Sequence, residues 1–297
     1  MNLLELLLLA AVWGASFLFL KLGAPAFGPL ALIAVRCASA ALLLAPLLLR
    51  PAARQALRRH AWPLLVLGAS NSAFPFVLFA YGALHLGAGT ESILNAMTPL
   101  STALIAWLWL RAPLSRWQAL GMLIGFAGVL TLVLGQAPDG TGEPLAARLP
   151  AALAALGATV SYGFAANYAA RHLRGVEPRV VTFGCMFFAA LLLLPCLPFV
   201  WPATPPAPRA WGAALALGVL CTGLAYILYF RLIARAGASF AASVTFVVPA
   251  SGMLWGGLFL GERITGIMLI GAGVILLGVA LASGRLRRRR AVPRQAA

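Results

Sequence analysis

Acidic residues are nearly absent from this 297-residue chain: there are six, against 22 lysines and arginines. Lysine occurs once, as Lys21. Charged residues of both signs make up only 9%, where a soluble domain carries about 25%. That scarcity excludes an ordinary solvated surface. A hydrophobic content of 62% equally excludes disorder, which needs low hydrophobicity. Cysteine is sparse. Cys37, Cys185, Cys196 and Cys221 all sit in apolar runs, with no CxxC and no His/Cys cluster at metal spacing. No disulfide framework and no metal site are expected, and the four read as small packing residues. HExxH, GxSxG and Walker A patterns are missing, and Lys21 follows no glycine-rich loop. An enzyme, a cofactor and ATP hydrolysis are therefore not expected. The start, Met1-Asn2 and then apolar residues, lacks a basic n-region. It reads as a first transmembrane helix and not as a cleaved signal peptide.

What fills the chain is apolar stretches of membrane-spanning length. They fall at about 3–22, 30–49, 62–83, 91–110, 117–135, 149–170, 180–200, 211–230, 239–260 and 266–283, each near the roughly 20 residues that cross a bilayer core. The fold class expected is all-α integral membrane, with ten transmembrane helices. The longest polar interruption, Gln136 to Arg148, divides the chain almost in half.

The halves match. A shift of 150 residues aligns Leu67-Gly68 with Leu217-Gly218, Gly87 with Gly237, Pro99 with Pro249, Ser101 with Ser251, Gly121 with Gly271 and Gly128 with Gly278. Nearer the N-terminus a shift of 149 pairs Trp13-Gly14 with Tyr162-Gly163 and Pro46 with Pro195. Matched Gly and Pro carry weight because each answers a backbone requirement. The division is residues 1–135, a connecting loop 136–148, residues 149–283 and a basic tail 284–297. Five spans per repeat invert the second relative to the first. With the N-terminus cytoplasmic, 17 basic residues fall in inside loops or the tail and four outside, with Arg36 within a span. This fits the positive-inside rule and puts both termini in the cytoplasm. Inverted repeats hold a transporter's site between them near the midplane.

Leu258 to Thr265, with Gly261-Glu262-Arg263, followed by Gly271 and Val274 to Gly278, resembles the end-of-repeat pattern of the EamA type of drug/metabolite transporter. Ser92 to Pro99 resembles that family's fourth helix, and Trp13-Gly14 with Ser16-Phe17 its first. The resemblance covers nearly the whole chain. It departs at Arg111-Ala112, where the first repeat lacks Gly-Glu. It implies a transporter and is not specific for a substrate, since members export amino acids, other metabolites or toxic compounds. The function expected is a secondary transporter in the cell (inner) membrane that exports small organic metabolites, such as amino acids or related amphipathic compounds, by alternating access. Proton exchange is the simplest coupling. The alternatives are an uncoupled facilitator or channel and, further off, a membrane-embedded enzyme.

Candidate substrate-binding residues follow from rare polar and helix-breaking positions. Pro99 and Pro249 interrupt the fourth and ninth helices at matched places, the arrangement expected of a transport site; the plain alternative is two kinks. Glu91, Asn95, Thr98 and Thr102 share one helical face. Glu91 either binds substrate or a proton, or favours the helix N-terminus through the dipole. Arg36 either meets an anionic substrate group or Glu91, or braces helix ends. Asn71 with Pro75 interrupts the third span. Thr222, Tyr226 and Tyr229 share a face of the eighth, and Trp13, Tyr162 and Asn167 add amphipathic groups to the first and sixth; the alternative for each is an interfacial anchor or a packed core aromatic. His85, by the third-to-fourth turn, either senses protons or is an exposed loop histidine, and His60 and His172 have no assigned role.

Gly121-x-x-x-Gly125 is a close-packing motif, serving either within the repeat or between protomers of a homodimer. Ser115-x-x-Gln118 has the form of a capping box. The arginine cluster from Arg285 to Arg294 directly follows the last span. It sets topology and attracts anionic lipid; nucleic acid is not an expected partner.

Overall fold

The computed structural model describes residues 2–135 and 142–283. The tail and residues 136–141 of the loop expected between the repeats lie outside them. The described residues are helical, with no strand among them. Eight helices are long and apolar enough to cross a membrane: α1 (Asn2–Phe27), α2 (Pro29–Leu49), α3 (Ala61–His85), α4 (Ala88–Leu110), α5 (Arg116–Leu134), α6 (Leu145–His172), α7 (Pro178–Val200) and α8 (Pro208–Ala236). Two shorter apolar helices follow, α9 (Val244–Leu260) and α10 (Gly266–Ala282). Both have 17 residues, the lower end of spanning length. The ninth segment is shorter than its hydropathy because the chain turns at Ala242-Ser243, which detaches the single turn Ala238–Ala241. Large side chains such as Leu123, 71% exposed, and Leu258, 66% exposed, face outward. An apolar exterior of this kind suits lipid and not water.

Local chemistry sets several boundaries. Ser115 Oγ accepts from Gln118 N while Gln118 Oε1 accepts from Ser115 N, so the expected capping box starts α5. Pro46 and Pro195 each open a 3₁₀ turn near the end of α2 and α7. A short basic surface helix, Pro51–Arg59, joins α2 to α3. Arg50 makes a two-pronged ion pair to Glu177, bringing the end of α2 to the start of α7.

The most extensive helix contacts run between α1–α5 and α6–α10: α5 with α10, α1 with α9, α3 with α6, α4 with α6, and α2 with α7. Glycine makes these approaches close. A Cβ on Gly14 of α1 would lie 2.9 Å from Gly252 N of α9, and one on Gly163 of α6 would lie 2.8 Å from Ser101 O of α4. A Cβ on Gly68 of α3 would lie 2.9 Å from Cys185 O of α7, and one on Gly218 of α8 would lie 2.5 Å from Arg36 O of α2. Between α5 and α10, Gly121 and Gly278 are each pressed on the other's carbonyl oxygen, and Gly128 meets Gly271 O. Each contact recurs under the 149- or 150-residue shift. Gly121 therefore packs across the two halves of one chain. Gly125 also seats Leu100 and Met97 of α4. The sequence had left this motif open between packing within a repeat and packing between protomers.

Adding a methyl group here overpacks a backbone that cannot yield. Gly278→Ala is expected to destabilise by about 1–3 kcal/mol. Gly273→Ala, with open space around it, gains up to about 1 kcal/mol of helix propensity. Thermal unfolding in detergent of the two variants should show shifts of opposite sign.

Candidate functional site

Two helices change winding at matched places. α3 contains a π-turn at Ala69–Ala73 and α8 one at Val219–Leu224. In α3 the cause is Pro75, which has no N–H for the turn before it. In α8 it is Thr222, whose hydroxyl donates to Leu217 O at 2.8 Å, five residues back. π-turns are rare and concentrate at functional sites. Asn71 and Pro75 therefore widen the third span without breaking it, contrary to the interruption expected.

Each π-turn is held from the other half. Arg36 Nε of α2 donates to Thr222 Oγ1 at 3.0 Å. At the matched positions, Cys185 Sγ of α7 lies 3.2 Å from Ser72 Oγ, and Asn71 Nδ2 reaches the same sulfur at 3.7 Å. Cys185 is more than the packing residue its apolar run indicated. Arg36 is 6% exposed, and its guanidinium carbon lies 3.6 Å from the centre of the Phe76 ring, a cation–π contact. It does not pair with Glu91.

Aromatic side chains repeat the same symmetry. Trp13 of α1 packs on Tyr226 and Tyr229 of α8, with ring centres 6.2 and 5.3 Å apart. Tyr162 of α6 packs on Phe76 and Phe79 of α3, at 6.4 and 6.0 Å. Phe76 and Phe79 correspond to Tyr226 and Tyr229 by the 150-residue shift. The sequence reading missed the two phenylalanines because a lone Phe in an apolar span carries no signal. Their register with Tyr226 and Tyr229 would have found them. A cavity of about 160 Å³ opens beside this layer, with Asn71, Thr182, Cys185, Tyr226 and Phe230 among its walls. Trp13, Asn71, Tyr162, Tyr226 and Tyr229 thus gather around one region.

The rest of the candidate set lies elsewhere. Asn167 Nδ2 donates to Thr102 O at 3.0 Å and Gly163 O at 2.8 Å, tying α6 to α4. Thr98 Oγ1 donates to Asn95 O and Thr102 Oγ1 to Thr98 O, so the polar stripe of α4 is largely satisfied by its own backbone. The two prolines do not act alike. α4 turns at Ala96-Met97, and Pro99 sits in the first turn beyond, where a missing N–H costs nothing. Pro249 lies inside a continuous α9, six residues past that helix's own turn, with its carbonyl near Ser92 Oγ. The matched interruption expected of them is a matched sequence position with different winding.

Glu91 is fully buried, and neither carboxylate oxygen has a hydrogen-bond partner among the described residues. Gly82 makes room for it, since a Cβ there would lie 2.6 Å from Glu91 Oε1. Lys21 and Glu262 are its charged neighbours, and the Lys21 ammonium donates to Leu86 O at 3.0 Å. Glu91 stands in the first turn of α4 but makes no capping hydrogen bond. Glu262 makes them: its oxygens accept from Ala88 N at 2.7 Å and Gly89 N at 3.1 Å, where the helix dipole favours an anion. The sequence reading used Glu262 only as a family mark. Its matched position is Ala112, so the turn Ala238–Ala241 has no such partner from the first half. Arg111 nonetheless keeps the left-handed cap conformation of its counterpart, with φ 52° against 69° at Gly261. His85 is partly exposed, 3.8 Å from Glu143.

Removing the Glu262 cap should cost about 1 kcal/mol. The expected result is a lower melting temperature for Glu262→Ala, with Ala112→Gly, which disturbs no such cap, as the comparison.

The geometry agrees with kinship to known proteins. The model of the EamA-like transporter family matches residues 2–134 and again 149–284. An uncharacterized transporter of Archaeoglobus fulgidus is 22% identical over 92% of this chain and 95% of its own length. A probable terminal-alkyne amino-acid exporter of Streptantibioticus cattleyicolor is 27% identical over 96% and 94%. The pseudopaline exporter of Pseudomonas aeruginosa is 27% identical over 83% of each chain. A protein crystal structure superimposes with a TM-score of 0.67 over 98% of this chain and 99% of that one, at 22% identity, which speaks for a shared fold.

Proposed function

The chain belongs to the EamA-like transporter family and is a multi-pass membrane transporter; from this we propose that it exports small organic metabolites, amino acids or related amphipathic compounds, by alternating access. The observation that carries the proposal is the layer of aromatic side chains and π-turns, repeated in both halves beside one cavity. Aromatic walls with few polar groups suit an amphipathic solute. Exporter relatives of nearly full length support the direction.

We read the ten helices as two inverted five-helix repeats, residues 1–135 and 149–283. The reciprocal glycine contacts are what a two-fold relation between halves produces. The loop charges favour both termini in the cytoplasm. Glu91 is the residue we assign to proton coupling, because a buried carboxyl group without a hydrogen bond is held for a reason other than fold stability.

Proteoliposome flux tests the whole. Export of at least one member of a panel of amino acids and hydrophobic cations, accelerated by a proton gradient, is expected. No flux of any member under any gradient would sink the proposal. Glu91→Gln should abolish the gradient dependence while leaving downhill exchange; unchanged dependence removes Glu91 from coupling. A cysteine placed at Gln55 should be labelled from the cytoplasmic side alone, and labelling from outside overturns the topology.

A further inference from the structure

Among the described residues Arg36 is a cation without an anion. It lies 6% exposed within α2, and buried charges are ordinarily paired. The acidic groups among the described residues are engaged or placed elsewhere. Glu5 pairs with Arg231 and Arg235, Glu177 with Arg50, and Glu143 stands beside His85. Glu262 caps α4, and Glu91 sits against Gly82 with Lys21 as its near cation.

The guanidinium is also only partly used. Nε donates to Thr222 and one face lies on Phe76. Among the described residues this is its single hydrogen bond, so the two Nη groups have no acceptor. Those atoms form the fork that grips a carboxylate through two parallel hydrogen bonds. The Nε bond and the ring fix the fork's plane in advance, which lowers the entropy lost on binding. Arg36 lies within electrostatic reach of Tyr162 and Tyr226, one from each aromatic set. Tyr226 also lines the cavity.

We propose that Arg36 is the receptor for the carboxylate of the transported solute, and that the solute is therefore an organic acid or zwitterion with an apolar remainder. The proposal rests on the transporter reading above and names its substrate class. The matched position in the second half is Cys185, so only one of the two symmetric places binds an anion. The solute thus has one orientation: its carboxylate toward α2 and α8, its remainder toward the wall where Asn71 and Cys185 meet.

The test compares paired ligands on the full chain in nanodiscs, by thermal shift and by counterflow in liposomes. The probes are L-leucine, L-phenylalanine and L-glutamine, their amides, and their N-acetyl acids. In the wild type the carboxylates are expected to bind about tenfold or more tighter than the amides, the scale of one charge-assisted hydrogen bond. N-acetylation should matter less. Arg36→Gln should bring acids down to the level of amides without weakening the amides. Arg36→Lys, which keeps the charge and loses the fork, should fall between. Equal binding of acid and amide by the wild type overturns the proposal, as does a preference that survives Arg36→Gln. If Arg36→Gln does not fold, the wild-type pairs and Arg36→Lys decide. No binding of any carboxylate overturns it too, and binding of cations in that case leaves the transporter reading standing.

Discussion

Close approach of backbone to backbone at matched glycines is the constraint on which the rest of this molecule depends. In lipid there is no hydrophobic drive to bring apolar helices together, so packing contacts and hydrogen bonds must do it. Gly14, Gly68, Gly121 and their counterparts let helices from opposite halves of the chain touch main chain to main chain. The polar side chains then have defined neighbours. Arg36 finds Thr222 because Gly218 allows α8 to lie on the carbonyl of Arg36 itself. Ser72 finds Cys185 because Gly68 does the same for α3 and α7.

Within this frame the candidate site is an exception to regular winding. Two π-turns, a buried arginine and two sets of aromatic rings occupy the layer where the halves meet. Nearly everything in that layer occurs twice, and the exceptions are therefore informative. Arg36 opposite Cys185 and Glu262 opposite Ala112 are places where the two halves have different chemistry on one backbone plan.

Part of this was legible from residue types and spacing. Hydropathy located the apolar helices, and Gly/Pro register marked matched positions in the two halves, because both report requirements of the backbone; that the matched glycines touch across the halves was not foreseen. What escaped were relations that need three dimensions. Glu91 had the position of a helix-end carboxylate, yet Glu262, far along the chain, occupies that place. Pro99 and Pro249 align in sequence, but winding depends on the whole preceding turn, and they ended in unlike surroundings. Phe76 and Phe79 were passed over because their one signal among so many apolar residues is register with Tyr226 and Tyr229. Asn95, Thr98 and Thr102 looked like a polar stripe awaiting a partner, although threonine hydroxyls in a helix can bond their own backbone.

The two ends of the helix bundle are fastened by unlike forces. At one end Glu262 binds backbone amides of α4 from a partly buried position. At the other, Glu5 of α1 holds Arg231 and Arg235 of α8, whose side chains are 51% and 45% exposed. Mobile ions reach the second fastening and weaken it, while the first is shielded. Ionic strength therefore acts unequally on these two fastenings, loosening Glu5 from its arginines more than Glu262 from its amides.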